Sequence, residues 1–346
     1  MITGLLVTLS GCQRRAPGVY VLNPAVAKLE PRLQEELKSA LEEFSGTHLQ
    51  PKLLGDSEIS PRHLKRGQQL YEKNCAQCHG ITGDGAGPAA AFMYPRPRDY
   101  RKGIFKFTST PYGYRPQRSD LLRIITRGIR GTSMPGFSQL ADDEREAIVD
   151  YVLVLTHRGE LEQQLLEMAE FDEEIDREAV ADDLIPNVLN RWNDAAGSEV
   201  LPLTSQPVFT MEHVERGKQA FLDPNLGCFK CHGEDGRGQT PDNLAGNLRD
   251  AWGNPTRAAD LTGGILRGGQ LPRDIYQRIF SGINGTPMPG FANALRDEPE
   301  RVWDLVAYVM YITNARRMGD KPAPGPISPY IPAGFQAEAA GDAESE

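Results

Sequence analysis

The sequence predicts an all-α protein of two tandem domains of one kind joined by an acidic linker. Three observations predict it. The pentapeptide Cys-x-x-Cys-His occurs twice in the 346 residues, within "NCAQCHG" at 74–80 and "GCFKCHG" at 227–233. The repeat extends well beyond it, since "RHLKRGQQLYEKNCAQCHG" aligns with "EHVERGKQAFLDPNLGCFKCHG" and "SDLLRIITRGIRGTSMPGF" with "RDIYQRIFSGINGTPMPGF". Apolar residues inside each unit recur at helical spacing, as with Ile148, Tyr151 and Val152 against Leu305, Tyr308 and Val309. A unit of about 100 residues is large enough to hold its own core.

Residues 1–12 read as an export signal ending in a lipobox. The apolar stretch "LLVTLSGC" places Leu9, Ser10 and Gly11 before Cys12, which becomes the lipid attachment site, although no Lys or Arg precedes it. Gln13 is not an acidic retention signal, which points toward the outer membrane. Residues 13–59 form an N-terminal linker. In its "PRLQEELKSALEEFS" (31–45), Leu33, Leu37, Leu41 and Phe44 share one face, so an amphipathic helix ending at Gly46 is expected.

The first repeat unit spans 60–159 and the second 207–318. Ser60-Pro61 and Thr210 are capping residues before good first turns, so a helix starts at each. His63 and His213 fall in those first turns, far before the pentapeptides, and are expected to be structural. Residues 160–206 form the acidic, partly helical linker, with eleven acids against one Arg over 160–183. Residues 319–346, rich in Pro, Ala and Gly, are expected to be disordered.

Composition is that of a soluble globular protein, with 39% hydrophobic and 25% charged residues. A net charge of −9 excludes nucleic acid as the partner. The charge is uneven, and residues 95–130 hold ten Lys/Arg against two acids.

The pentapeptide carries the chemistry. A zinc site wants four ligands close together, and a dithiol redox site does not ask for a histidine. Cys-x-x-Cys-His is the attachment sequence for c-type haem. On a helix, i, i+3 and i+4 share a face. Cys75 and Cys78 can then form two thioethers to one haem while His79 comes up beneath the iron, and Cys228, Cys231 and His232 repeat the arrangement. For the opposite face the repeat offers Met134 in "GTSMPGF" and Met288 in "GTPMPGF". A thioether is a soft, neutral ligand, and Met/His ligation raises the reduction potential.

On these residues, both halves resemble class I cytochrome c domains, and the chain resembles dihaem cytochromes c of bacterial respiratory chains. The family's crossing of first and last helices has a Gly and an aromatic four apart, which Gly67 with Tyr71 and Gly217 with Phe221 match. The aromatic from the last helix matches Tyr151 and Tyr308. The first unit is also similar to cytochrome c modules that accompany haem-copper oxidases. The family's proline that positions the histidine ring has candidates in Pro88 and Pro241. Arg96, Arg98 and Arg101 are candidates for the haem propionates.

The resemblance implies two covalently bound haem c groups and electron transfer between a respiratory donor and a terminal oxidase or reductase. Expected partners are redox proteins such as a quinol-oxidising complex and a haem-copper oxidase. Thioether attachment of haem takes place outside the cytoplasm, so the expected location is the periplasmic side of a bacterial membrane, held by a lipid anchor. The basic 95–130 segment is expected to face an acidic partner, the chain's own acidic 160–183 segment, or the propionates. The helix at 31–45 is a possible dock onto a larger complex. The competing class is an enzyme, either dihaem peroxidase-like or thiosulfate-oxidising, with one labile distal ligand. It is disfavoured because no cysteine besides Cys12 remains and both units keep the methionine loop.

Overall fold

A computed structural model describes residues 19–315, so Cys12 with the export signal and the tail at 319–346 lie outside the described residues. Among the described residues the chain is helix and loop, with only two isolated bridges, Gly46 to Pro51 and Arg249 to Pro255. No helix among them is long and apolar enough to cross a membrane.

The two repeat units are built alike. In the first, the leading helix Pro61–Asn74 is capped by Ser60, whose hydroxyl accepts from the His63 N–H at 3.2 Å. It crosses the helix Asp142–Phe171 at Gly67, where a Cβ would meet the Ala147 carbonyl oxygen at 2.1 Å. Only a residue without a side chain allows that approach. Beside the crossing, the rings of Tyr71 and Tyr151 lie 5.4 Å apart, both fully buried.

In the second unit, Met211–Phe221 is closed at its N-terminus by Thr210 and His213, whose Oγ1 and Nδ1 lie 2.8 Å apart. It crosses Glu300–Ala315 at Gly217, and Phe221 meets Tyr308 at 5.2 Å. The helices Arg118–Arg127 and Pro272–Ser281 complete the two cores. His63 and His213 therefore do structural work. His213 caps, and His63 Nε2 lies 2.8 Å from Asp150 on the crossing helix.

The acidic segment departs from the linker reading. The terminal helix of the first unit does not stop at 159 but runs unbroken to Phe171. The reason is its apolar register, since Leu161, Leu165, Leu166 and Ala169 are all buried. The three leucines pack with Leu37, Leu41 and Val188 in a third core, to which Ile185–Ala195 contributes. The helix Pro31–Ser45 ends at Gly46 as expected, but its apolar face is covered by this core. It is consequently not free to dock elsewhere. Arg158 closes its C-terminus, donating from Nη1 to the carbonyl oxygens of Leu41 (3.2 Å) and Gly46 (3.1 Å) and to Ser45 Oγ (2.6 Å).

The two units meet through a reciprocal interface. A Cβ on Gly131, in the first methionine loop, would lie 3.1 Å from Ile265 of the second unit. One on Gly285, in the second loop, would lie 3.0 Å from Ile104 of the first. Gly131 aligns with Gly285 and Ile104 with Ile265, so each unit offers the other the same surface, as in an isologous dimer. Asn284 fixes the register, accepting from the Gly113 N–H at 2.8 Å and donating to the Tyr114 carbonyl at 3.3 Å. Much of the basic 95–130 segment is thus spent inside the molecule, and Arg115 pairs with Glu160 at the start of the acidic segment.

Candidate haem sites

Each pentapeptide forms one short helix, at Ala76–His79 directly after the leading helix and at Cys228–His232 after the turn at 222–227. The His79 N–H bonds to the Cys75 carbonyl at 2.9 Å, which puts both thiols and the ring on one side of a single turn. All four cysteines are free thiols, none joined in a disulfide. Burial, reinforced by Cys78, pushes the Cys75 thiol up to about 12, and burial also raises Cys228 to about 11. Both are neutral thiols in a partly dry setting. Among the described residues no three His, Cys, Asp or Glu side chains could hold a bare metal ion together.

The histidines are held in one tautomer. His79 Nδ1 lies 3.1 Å from the Arg98 carbonyl oxygen, and His232 Nδ1 lies 3.0 Å from that of Ala259. A carbonyl only accepts, so Nδ1 carries the proton and Nε2 presents a lone pair. Burial keeps the His79 ring neutral, with its pKa lowered to about 4, and lowers that of His232 too.

Prolines do not supply the acceptor carbonyl here. Pro88 and Pro241 are both exposed, and Pro241 opens a short helix instead. The carbonyls arrive because the loop after each pentapeptide folds back alike. The Tyr100 N–H bonds to Gly83 at 2.7 Å and the Leu261 N–H to Gly236 at 2.8 Å, which places Arg98 and Ala259 over the rings. This pairing lies 19 and 27 residues beyond the histidines, a separation that hides it from local reading. Tyr100, also missed, stacks on the His79 ring at 4.7 Å.

The methionine loops are built bond for bond alike. The Ile129 N–H bonds to the Met134 carbonyl at 3.1 Å, and the Ile283 N–H to that of Met288 at 3.2 Å. Thr132 Oγ1 accepts from the Met134 N–H at 3.1 Å, and Thr286 does the same for Met288 at 3.2 Å. Gly128 (φ 67°) and Gly282 (φ 70°) take the left-handed turn that begins each loop. Both methionines are half-buried, and Met134 packs on the first core.

Two adjacent thiols and an imidazole with a free Nε2 fit a covalently attached haem and leave no set of donors for a zinc ion. Of the propionate candidates, Arg101 is taken by Asp99, with Nη2 to Oδ2 at 2.9 Å. Arg98 instead lies over the indole of Trp252 in the second unit, 3.8 Å from the ring centre.

Residues 62–152 match the family Cytochrome C oxidase, cbb3-type, subunit III, and residues 214–313 the family Cytochrome c. The chain is 31% identical over 101 residues to Photosystem II extrinsic protein V of Aphanothece halophytica. That match covers 28% of this chain and 61% of the relative, less than two thirds of its length. A chain of the reducing HAO-like protein complex of Kuenenia stuttgartiensis superposes with a TM-score of 0.57 at 29% identity. The superposition covers 74% of this chain and 98% of that one. With a cytochrome c match over each pentapeptide repeat, the chain is a dihaem c-type cytochrome, two cytochrome c domains in tandem with two covalently bound haems.

Proposed function

We propose that the protein carries electrons through two haems, each with one histidine and one methionine on the iron, and performs no bond-making chemistry of its own. The proposed ligands are His79 with Met134 and His232 with Met288, and the proposed thioethers are at Cys75, Cys78, Cys228 and Cys231. The observation that carries this reading is the identical hydrogen bonding of the two methionine loops. A distal ligand meant to open for substrate in one domain only would need a different loop there. When bound, the haem supplies one-electron iron chemistry. The chain's own residues fix the imidazole tautomer, keep water off the ring and set the loop that presents the thioether.

Donor and acceptor belong to the same proposal. The first domain's match to an oxidase subunit family supports a respiratory donor, such as a quinol-oxidising complex, and a haem-copper oxidase as acceptor. The relative from a reducing HAO-like complex supports service as a subunit or docking partner of a larger redox assembly. Electron-transfer encounters of this kind are small and charge-assisted. The proposed location is the periplasmic face of a bacterial membrane, with lipid on Cys12.

The test is an absorption and EPR titration of the oxidised protein with cyanide and peroxide, after counting haems by pyridine haemochrome. Two low-spin haems indifferent to both reagents are expected. A haem that is high-spin at rest, or that takes cyanide readily, overturns the methionine assignment in its domain and brings the peroxidase-like reading forward.

A further inference from the structure

The domain interface buries a donor that no group among the described residues uses. Trp252 Nε1 is shielded from solvent, and among the described residues no group accepts its hydrogen bond. The Arg98 guanidinium lies flat on the same indole, 3.8 Å from its centre, and makes no ion pair among the described residues. Two carboxylates attract it, Asp250 more than Asp99, but neither is paired with it among the described residues. Asp99 binds Arg101 through both oxygens, and Asp250 Oδ1 accepts from the backbone N–H groups of Trp252 (3.0 Å) and Asn254 (2.9 Å). Lys106 feels the same charges. Burial, followed by the repulsion of Arg98, lowers its pKa to about 8 against the pull of Asp250, with Arg267 adding further repulsion. A guanidinium lying on an indole whose N–H is unused makes a site for an anion.

We propose that Trp252 and Arg98 form a carboxylate clamp for a propionate of the first domain's haem, with Trp252 reaching across from the second domain. The choice of haem follows from Arg98, whose own carbonyl holds the His79 ring while its side chain extends to the interface. In the second domain the carbonyl acceptor is Ala259, which brings no guanidinium, so the clamp serves one haem and not the other. The clamp also ties domain docking to haem occupancy, because Trp252 packs on the second methionine loop, 2.6 Å from where a Gly285 Cβ would stand. The inference rests on haem at the first site and is independent of which residue takes the sixth position.

The experiment measures both midpoint potentials of the holoprotein, assigned to domains by paramagnetically shifted methyl resonances, together with the propionate bending modes in resonance Raman. Trp252→Phe keeps a ring under Arg98 and removes the N–H, and Arg98→Gln removes the charge but keeps the backbone carbonyl. Each leaves the propionate charge less compensated and so favours the ferric haem. The first domain's potential is expected to fall in both variants, further in Arg98→Gln, with a shifted propionate mode and the second domain's potential unmoved. Unchanged potentials and modes at full haem content overturn the clamp, as does a shift confined to the second domain's haem. If Arg98→Gln fails to load haem, Trp252→Phe alone decides. A high-spin first haem whose potential still falls in Trp252→Phe would leave the clamp standing and remove only the methionine ligation.

Discussion

Gly217 lies so close to the carbonyl oxygen of Asp304 that a Cβ on it would sit 1.9 Å away, and Gly67 stands in the same relation to Ala147 at 2.1 Å. These are backbone contacts, which no rotamer change relieves. Gly67→Ala or Gly217→Ala must push the crossing helices apart, at a cost of about 2 kcal/mol, as for other overpacked cores. The chain passes from the leading helix to the pentapeptide helix through no more than a short turn, so the mutated domain is also expected to load haem poorly. Denaturant unfolding and haem content of each variant check this. Wild-type stability for either variant would mean that the crossing is looser than its geometry.

The methionines separate the two functional readings. Met134→Ala and Met288→Ala each leave the histidine, both thioethers and the loop's backbone hydrogen bonds in place. Each variant is expected to gain one high-spin haem that binds cyanide and to lose the red methionine-to-iron charge-transfer band of its own domain. A band that survives either substitution would mean that another residue holds that iron.

His157 predicts a pH dependence. Its ring is buried with neither nitrogen hydrogen-bonded among the described residues, 4.9 Å from the Trp192 ring. Burial, with a smaller push from Arg115, lowers its pKa from 6.5 to about 4. Between those values the unfolded chain binds the proton and the folded chain does not. Stability is therefore lost as pH falls through that window, by up to about 1.4 kcal/mol per pH unit, with no further loss from this group below it. In His157→Leu this part of the acid sensitivity disappears. Urea midpoints at pH 7 and pH 5 for both proteins give the comparison, and parallel losses would contradict the assignment.

The repeat made much of this molecule legible. Helix starts at Ser60 and Thr210, the Gly–aromatic crossings and the methionine loops all rest on local patterns that occur twice, and the methionine loops repeat bond for bond. What stayed hidden was long-range or two-sided. Arg98 and Ala259 reach their histidines through loops of different length, so no fixed spacing announces them. Trp252 occurs in one unit only and acts on the other. The acidic segment misled because its charge density masks Leu161, Leu165 and Leu166, which continue the helix from the first domain into a third core.

That continuation passes through Glu160. It is 3% exposed and opposes the Arg115 guanidinium, itself 12% exposed, while its other oxygen accepts from Trp192 Nε1 at 2.8 Å. One carboxylate thus joins the interface loop, the long helix and Ile185–Ala195. Glu160→Gln leaves the arginine buried without a countercharge, and breaking a buried pair in this way costs about 3 kcal/mol or more. Glu160→Gln is therefore expected to lower the denaturant midpoint sharply. Combining it with Arg115→Met should restore part of the loss, since the stranded charge goes too. Glu170→Gln, on the exposed face of the same helix, is expected to change stability by less than about 0.5 kcal/mol. If Glu160→Gln is as mild as Glu170→Gln, the joint is not electrostatic, and the third core is held to the first domain by the continuous helix and its leucines alone.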